Sequence, residues 1–230
     1  MKKLYEKSEL GFALVWIGIY YVGMSIFDEI SRRIGVESSA SAVFAVAVSL
    51  FLYFWLKQQG KLERFGLCNP KVHAKAFLFY IPLIVITLQN VWGGVAMHYD
   101  AVGTVCFIVK MLCVGFLFKA MSRDSIKWAL VVSSVTFGLG HIINLLNGSG
   151  MGVAENLVQI FFAVLIGFLY VIIFWRGGSL WPCVISHGVL NSLSAFSATG
   201  ESILRVVILC VLVVAYAVVL LRTLPQAKEK

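Results

Sequence analysis

"SASAVFAVAVSLFLYFWL", residues 39–56, carries no charged side chain and runs straight into Lys57. An α-helix rises about 1.5 Å per residue, so about 20 such residues cross the roughly 30 Å hydrocarbon core of a bilayer. Working outward from this stretch gives eight candidate spans, at 10–27, 39–56, 76–97, 102–121, 127–146, 153–175, 180–198 and 202–221. Together they use most of the 230 residues and leave no room for a separate soluble domain. The whole composition agrees: 60% of residues are hydrophobic, 13% are charged, and the mean hydropathy is +0.91. A soluble domain does not tolerate that balance. The expected fold is an all-α polytopic membrane bundle, a single integral-membrane domain over 1–230.

Lys and Arg collect on the cytoplasmic side of membrane proteins, and their placement tests the count. One set of connections holds Lys2, Lys3 and Lys7, then Lys57, Lys61, Arg64, Lys71 and Lys75, then Arg123 and Lys127, then Arg176, then Arg222, Lys228 and Lys230. The alternate set is poor in cations. Arg32 and Arg33 are offset there by Asp28, Glu29 and Glu37, and Arg205 sits beside Glu201. The alternation predicts eight spans with both termini cytoplasmic. A seven-span reading stays open, because the seventh candidate is short and polar.

The formal charge of +8 then belongs to loops facing anionic lipid, and no basic patch with interleaved aromatics suggests nucleic acid. The first apolar run is too long for a signal peptide and lacks a small-x-small site before Asp28, so it is expected to stay as the first helix. Four of the five cysteines, Cys106, Cys113, Cys183 and Cys210, fall inside spans, where cysteine packs as a small apolar residue. No Cys/His spacing predicts a disulfide or a thiolate metal site. The linker 57–76 is basic with scattered apolar residues. It is expected to lie along the inner interface, turning Leu62, Phe65 and Leu67 toward lipid or bundle.

Ionisable residues at membrane depth are costly, and each is a candidate for function. "SSVTFGLGHIIN" (133–144) places His141 in the fifth span, with Phe137 one turn earlier and Asn144 at i+3. "SLWPCVISHGVLN" (179–191) places His187 in the seventh, with Asn191 at i+4. Each pair shares one helix face. Both helices run outward from the cytoplasmic edge, with His187 and Asn191 roughly 12–18 Å deep and His141 about 20 Å deep. Two histidines from separate helices can therefore meet near the midplane. A lone histidine there is most simply a hydrogen-bonded packing residue. Two with same-face asparagines can bind a metal or orient a water, but hydrolysis still needs a general base, usually Glu or Asp. Lys110, inside the fourth span, either snorkels or pairs with a carboxylate.

"FGLGH" fits Phe-x-x-x-His and "HGVLN" fits His-x-x-x-Asn, and with the "SLWP" lead-in they resemble the second and third motifs of the CPBP family of intramembrane proteases. These are the CaaX proteases and bacteriocin-processing enzymes, also called Abi proteins. The resemblance covers about residues 110–200. It implies an intramembrane endopeptidase with His141, His187 and Asn191 as catalytic residues, and a membrane-proximal or lipidated peptide as substrate. It also fits a multi-pass protein of a bacterial cell membrane, and it leaves the metal and any cofactor open.

The family's first motif, Glu-Glu-x-x-x-Arg, is missing. No Glu lies between Glu63 and Glu155. Aligned without a gap, Val114 and Gly115 occupy the Glu positions and Lys119 the Arg position. The gapped alignment is preferred, with about nine residues absent between Leu117 and Phe118, because "FKAMSRDSIKWA" (118–129) resembles the segment that follows the motif. Glu155 is the first substitute carboxylate to consider, although its place at a helix start fits capping and solvation. Asp100 and Glu201 read as outer-loop residues. Three functions follow: a CPBP-type endopeptidase that is inactive or impaired, a non-catalytic membrane binding or bacteriocin-immunity protein, and, last, a transporter, for which the repeats and broken helices are not evident.

Overall fold

A computed structural model of the chain describes residues 1–70, 80–92, 94–121, 152–197 and 203–223. These residues form eight α-helices: α1 (Lys2–Lys7), α2 (Glu9–Ile34), α3 (Ser39–Gln58), α4 (Ile81–Thr87), α5 (Ala101–Met121), α6 (Val153–Gly177), α7 (Trp181–Ser192) and α8 (Ile203–Thr223). The fold is all-α, as expected. Four helices, over Gly11–Ile34, Ser39–Gln58, Asn156–Gly177 and Leu204–Thr223, are long and apolar enough to cross a membrane. Backbone length adds α5, which at 21 residues spans about 31 Å. The expected span at 127–146 lies outside the described residues.

Three boundaries differ from the sequence reading. Helix α2 continues past residue 27 to Ile34, so Asp28, Glu29, Arg32 and Arg33 are helical and not loop residues. Glu29 pairs with Arg32 at i+3 (2.6 Å) and with Arg33 at i+4 (2.9 Å), and these pairs support the added turns. Gly35, at φ +80°, then ends the helix in the left-handed conformation, its amide donating back to Ser31 and Arg32. The expected span at 76–97 is not one helix. α4 stops at Thr87, a 3-10 turn follows at Gln89–Val91, and the backbone is extended by Val95. Beyond Gly94 (φ +114°) the amides of Ala96 and His98 bond to the carbonyls of Phe196 and Ala195, so tertiary pairing replaces the helical ladder. The seventh span is a 12-residue helix, α7, continued by a 3-10 turn at Leu193–Phe196.

The described residues divide into two compact units. The first holds Met1–Cys68, Thr87–Met121 and Leu180–Thr199, and therefore α1, α2, α3, α5 and α7. Its core joins Tyr5, Phe12, Trp16, Leu52, Leu56, Phe65 and Leu67. Phe65 and Leu67 are thus buried in the bundle, and Leu62 packs beside them, so the basic linker folds back onto α1–α3. Lys61 keeps its ammonium over the Tyr5 ring, 4.3 Å from its centre. The opposite face of α2 shows Val15, Ile19, Val22, Ile26 and Ile30 exposed at helical spacing, the stripe a lipid-facing helix presents. The second unit holds Asn69–Ile86, Ser122–Ser179 and Gly200–Lys230. In it α6 packs on α8, and Arg176 donates to the Leu221 carbonyl near the C-terminal ends of both helices.

Candidate active site

Helix α7 carries the site. It opens with Pro182 in its first turn, where a missing amide costs nothing, and is anchored by the Leu180 amide donating to the Gly66 carbonyl (2.8 Å). Cys183, Val184, Ser186, His187, Gly188, Leu190 and Ser192 are all buried, and Trp181 and Ile185 are exposed. A helix buried on nearly every side sits within the unit and not at its lipid-facing rim. Helix α5 lies against it at the closest point. A Cβ on Gly188 would stand 3.0 Å from the Leu112 Cα, so only glycine permits this approach. The segment before α5 pairs with Ala195–Ser197, just past the end of α7, so the two helices run antiparallel. Cys113 and Val114 therefore stand at about the level of His187.

His187 is 3% exposed. The Asn191 amide nitrogen is 3.0 Å from its Nε2, so the i+4 pairing read from the sequence is made in the structure. The same nitrogen is 3.5 Å from Nδ1, so Nε2 is the nearer ring nitrogen. The contact fixes the orientation of the ring relative to Asn191. His141, with Phe137 and Asn144, lies outside the described residues, as does the side chain of Glu155. Asp100 donates nothing to this site: its carboxylate accepts from the Gly103 amide (2.6 Å) and caps α5. Among the described residues no three His, Cys, Asp or Glu side chains converge as metal ligands would.

A second ring of polar groups surrounds α7 that single-residue reading does not reveal. Thr87 and Ser186 share a buried hydrogen bond of 2.6 Å between hydroxyls. Gln89, buried, donates to Asn90, and Asn90 donates to the Leu190 carbonyl (2.6 Å). Ser192 returns its hydroxyl to the Gly188 carbonyl (2.7 Å). The break after α4 thus has a purpose: it delivers side-chain donors to the helix that bears His187. Asn90→Ala leaves the Leu190 carbonyl without that donor, and a loss of about 1 kcal/mol is expected in denaturant titration of the detergent-solubilised protein. An unchanged midpoint would show that water replaces the amide.

The buried cation also has its partner. Lys110 of α5 donates to Asp28 of α2 at 2.6 Å, with Lys110 11% and Asp28 28% exposed in their side chains. The sequence allowed either snorkelling or pairing, and pairing is what occurs. Asp28 becomes available because α2 runs two turns longer than its apolar stretch. A cavity of about 280 Å³ opens nearby, lined by Ser31, Arg32, Gly35, Glu37, Tyr99 and Asp100. Burial raises the Tyr99 phenol above its ordinary range, with Glu37 and Asp28 adding to the effect, so it stays a neutral donor. None of the lining residues comes from α7, and the cavity is separate from His187.

Fold and site together define a multi-pass helical membrane protein with a histidine–asparagine pair on a buried helix. Residues 101–193 match the family of type II CAAX prenyl endopeptidases, Rce1-like. The segment reaches from the first residue of α5 past the end of α7, and it contains His141, His187 and Asn191. Over this segment the chain is similar to that family, in agreement with the resemblance of its motifs to the CPBP/CaaX proteases. No curated protein and no solved structure matches it.

Proposed function

We propose that this protein is an integral-membrane member of the CAAX-type endopeptidases that binds a membrane-proximal or lipidated peptide at His187 and Asn191 but hydrolyses it poorly or not at all. The observation that carries this reading is the contrast between α7 and α5. The histidine–asparagine pair is kept, with His187 buried, whereas α5, the helix packed against it, contains no Asp or Glu over its 21 residues. In an intact member, Glu and His would activate water, and the second His with Asn would stabilise the oxyanion. General-base catalysis typically contributes about 10²–10⁴-fold, so its loss alone removes most turnover. The backbone of α5 is continuous through Leu117 and Phe118, which is compatible with a clean loss of the motif between them. A non-catalytic role, as a binding or bacteriocin-immunity protein, is the second reading, favoured by the same contrast.

The test is a prenylated CAAX-type reporter peptide presented to the full chain in lipid nanodiscs, with binding and cleavage read separately. Saturable binding is expected, weakened at least about tenfold in His187→Ala, with no cleavage above that variant's background. Cleavage by the parent that disappears in His187→Ala would overturn the inactive reading. Insertion of a Glu-Glu-x-x-x-Arg segment after Leu117 is expected to raise cleavage by about 10²-fold or more if the missing base is the cause.

A further inference from the structure

Residues 95–98 form an extended segment on the first unit, beyond the ends of α5 and α7. The Ala96 amide donates to the Phe196 carbonyl (2.9 Å) and the His98 amide to the Ala195 carbonyl (3.1 Å), with Val95 paired opposite Ser197 in antiparallel sense. His98 Nε2 adds a contact of 2.7 Å to the Ser197 carbonyl. Along an extended backbone the N–H and C=O groups of successive residues point to opposite sides. With residues 96 and 98 bonded inward, those of Val95 and Met97 point away, and they have no hydrogen-bond partner among the described residues. Val95 is 69% and Met97 59% exposed, so nothing described covers this edge. Unpaired backbone groups cannot face hydrocarbon without a cost of several kcal/mol, so they face water or a partner that supplies the missing bonds.

The bonds on offer specify that partner. Two residues at i and i+2 present two donors and two acceptors in a row, the pattern that another extended chain completes and that a helix cannot. The location ties this edge to the site: Ala195–Ser197 begins four residues after Asn191, on the chain that leaves α7. From His187 to Phe196 the helical rise is about 13 Å, which an extended peptide covers in about four residues. We infer that Val95–Met97 is a docking edge on which the peptide substrate adds as a third strand, a few residues from the part that reaches His187. This rests on the peptide-binding reading above. The exposed Val95 and Met97 side chains then flank alternate side chains of the bound peptide, and the backbone contacts make recognition tolerant of sequence.

The decisive experiment uses the same reporter peptide with single backbone N-methyl groups placed at successive positions, bound to the full chain in nanodiscs. Each methyl removes one donor and leaves the protein untouched. Binding is expected to weaken at least about fivefold at alternate positions and to stay within about twofold at the intervening ones. A photoreactive phenylalanine analogue in place of Met97 is expected to capture the peptide, and one in place of Val43, an exposed residue of α3, is not. Saturable binding without the period of two, or with no capture from residue 97, overturns the docking edge and leaves peptide binding standing. Absence of saturable binding overturns both.

Discussion

Asp28→Asn is expected to destabilise the protein by about 3 kcal/mol, read as a lowered midpoint in denaturant titration of the detergent-solubilised chain. The substitution leaves Lys110 charged, with its side chain only 11% exposed and its 2.6 Å partner gone. Breaking a buried pair from one side costs about 3–5 kcal/mol, because an uncompensated charge stays behind. The lower end applies here, since the lysine stem gives the ammonium some freedom to reach water. Lys110→Met is expected to cost less, because Asp28 at 28% exposed keeps contact with solvent. The double variant removes both charges and is expected to return to within about 1 kcal/mol of the parent, as apolar replacements of buried pairs often do. If Asp28→Asn alone leaves the midpoint unchanged, the pair does not hold α2 to α5.

Gly188→Ala is expected to cost about 1–3 kcal/mol and to weaken peptide binding, although alanine is the better helix former by about 1 kcal/mol. The new methyl would stand 2.8 Å from Leu112 Cδ2 and 3.0 Å from its Cα. The first atom ends a flexible side chain and can rotate away. The second is backbone, so α5 and α7 must separate by some tenths of an ångström. Leu112→Ala in the same background is therefore expected to recover only part of the loss. Because Gly188 follows His187 directly, any separation also shifts the imidazole relative to α5. Close approach through small residues is how membrane helices gain packing where no hydrophobic driving force separates them from lipid. A Gly188→Ala protein as stable as the parent, with unchanged binding, would mean that α5 does not constrain the site.

These two contacts place different demands on α5. One face is fixed to α2 through Lys110, and Leu112 sets the distance to α7. Ser49 of α3 reaches the Cys113 carbonyl at 3.4 Å on a third side. Contacts on three sides therefore fix the position of α5.

Much of this protein was legible in its sequence. The apolar run 39–56 and its repeats determined an all-α membrane bundle, because hydrocarbon leaves the backbone no partner except its own helix. The motifs around His141 and His187 pointed to the family whose model matches residues 101–193, and i+4 spacing alone placed Asn191 beside His187. The break after Thr87 was not legible. The stretch 76–97 is apolar enough for a helix, and only pairing with residues 195–196 makes the extended course favourable. Asp28 likewise read as a loop residue, because hydropathy ends a helix where charges begin, whereas ion pairs and the Gly35 cap carry α2 further. Local composition determines which segments leave water. Which buried polar group meets which is decided by residues 82 or 99 positions apart, as Lys110 with Asp28 and Thr87 with Ser186, and only the tertiary structure brings them together.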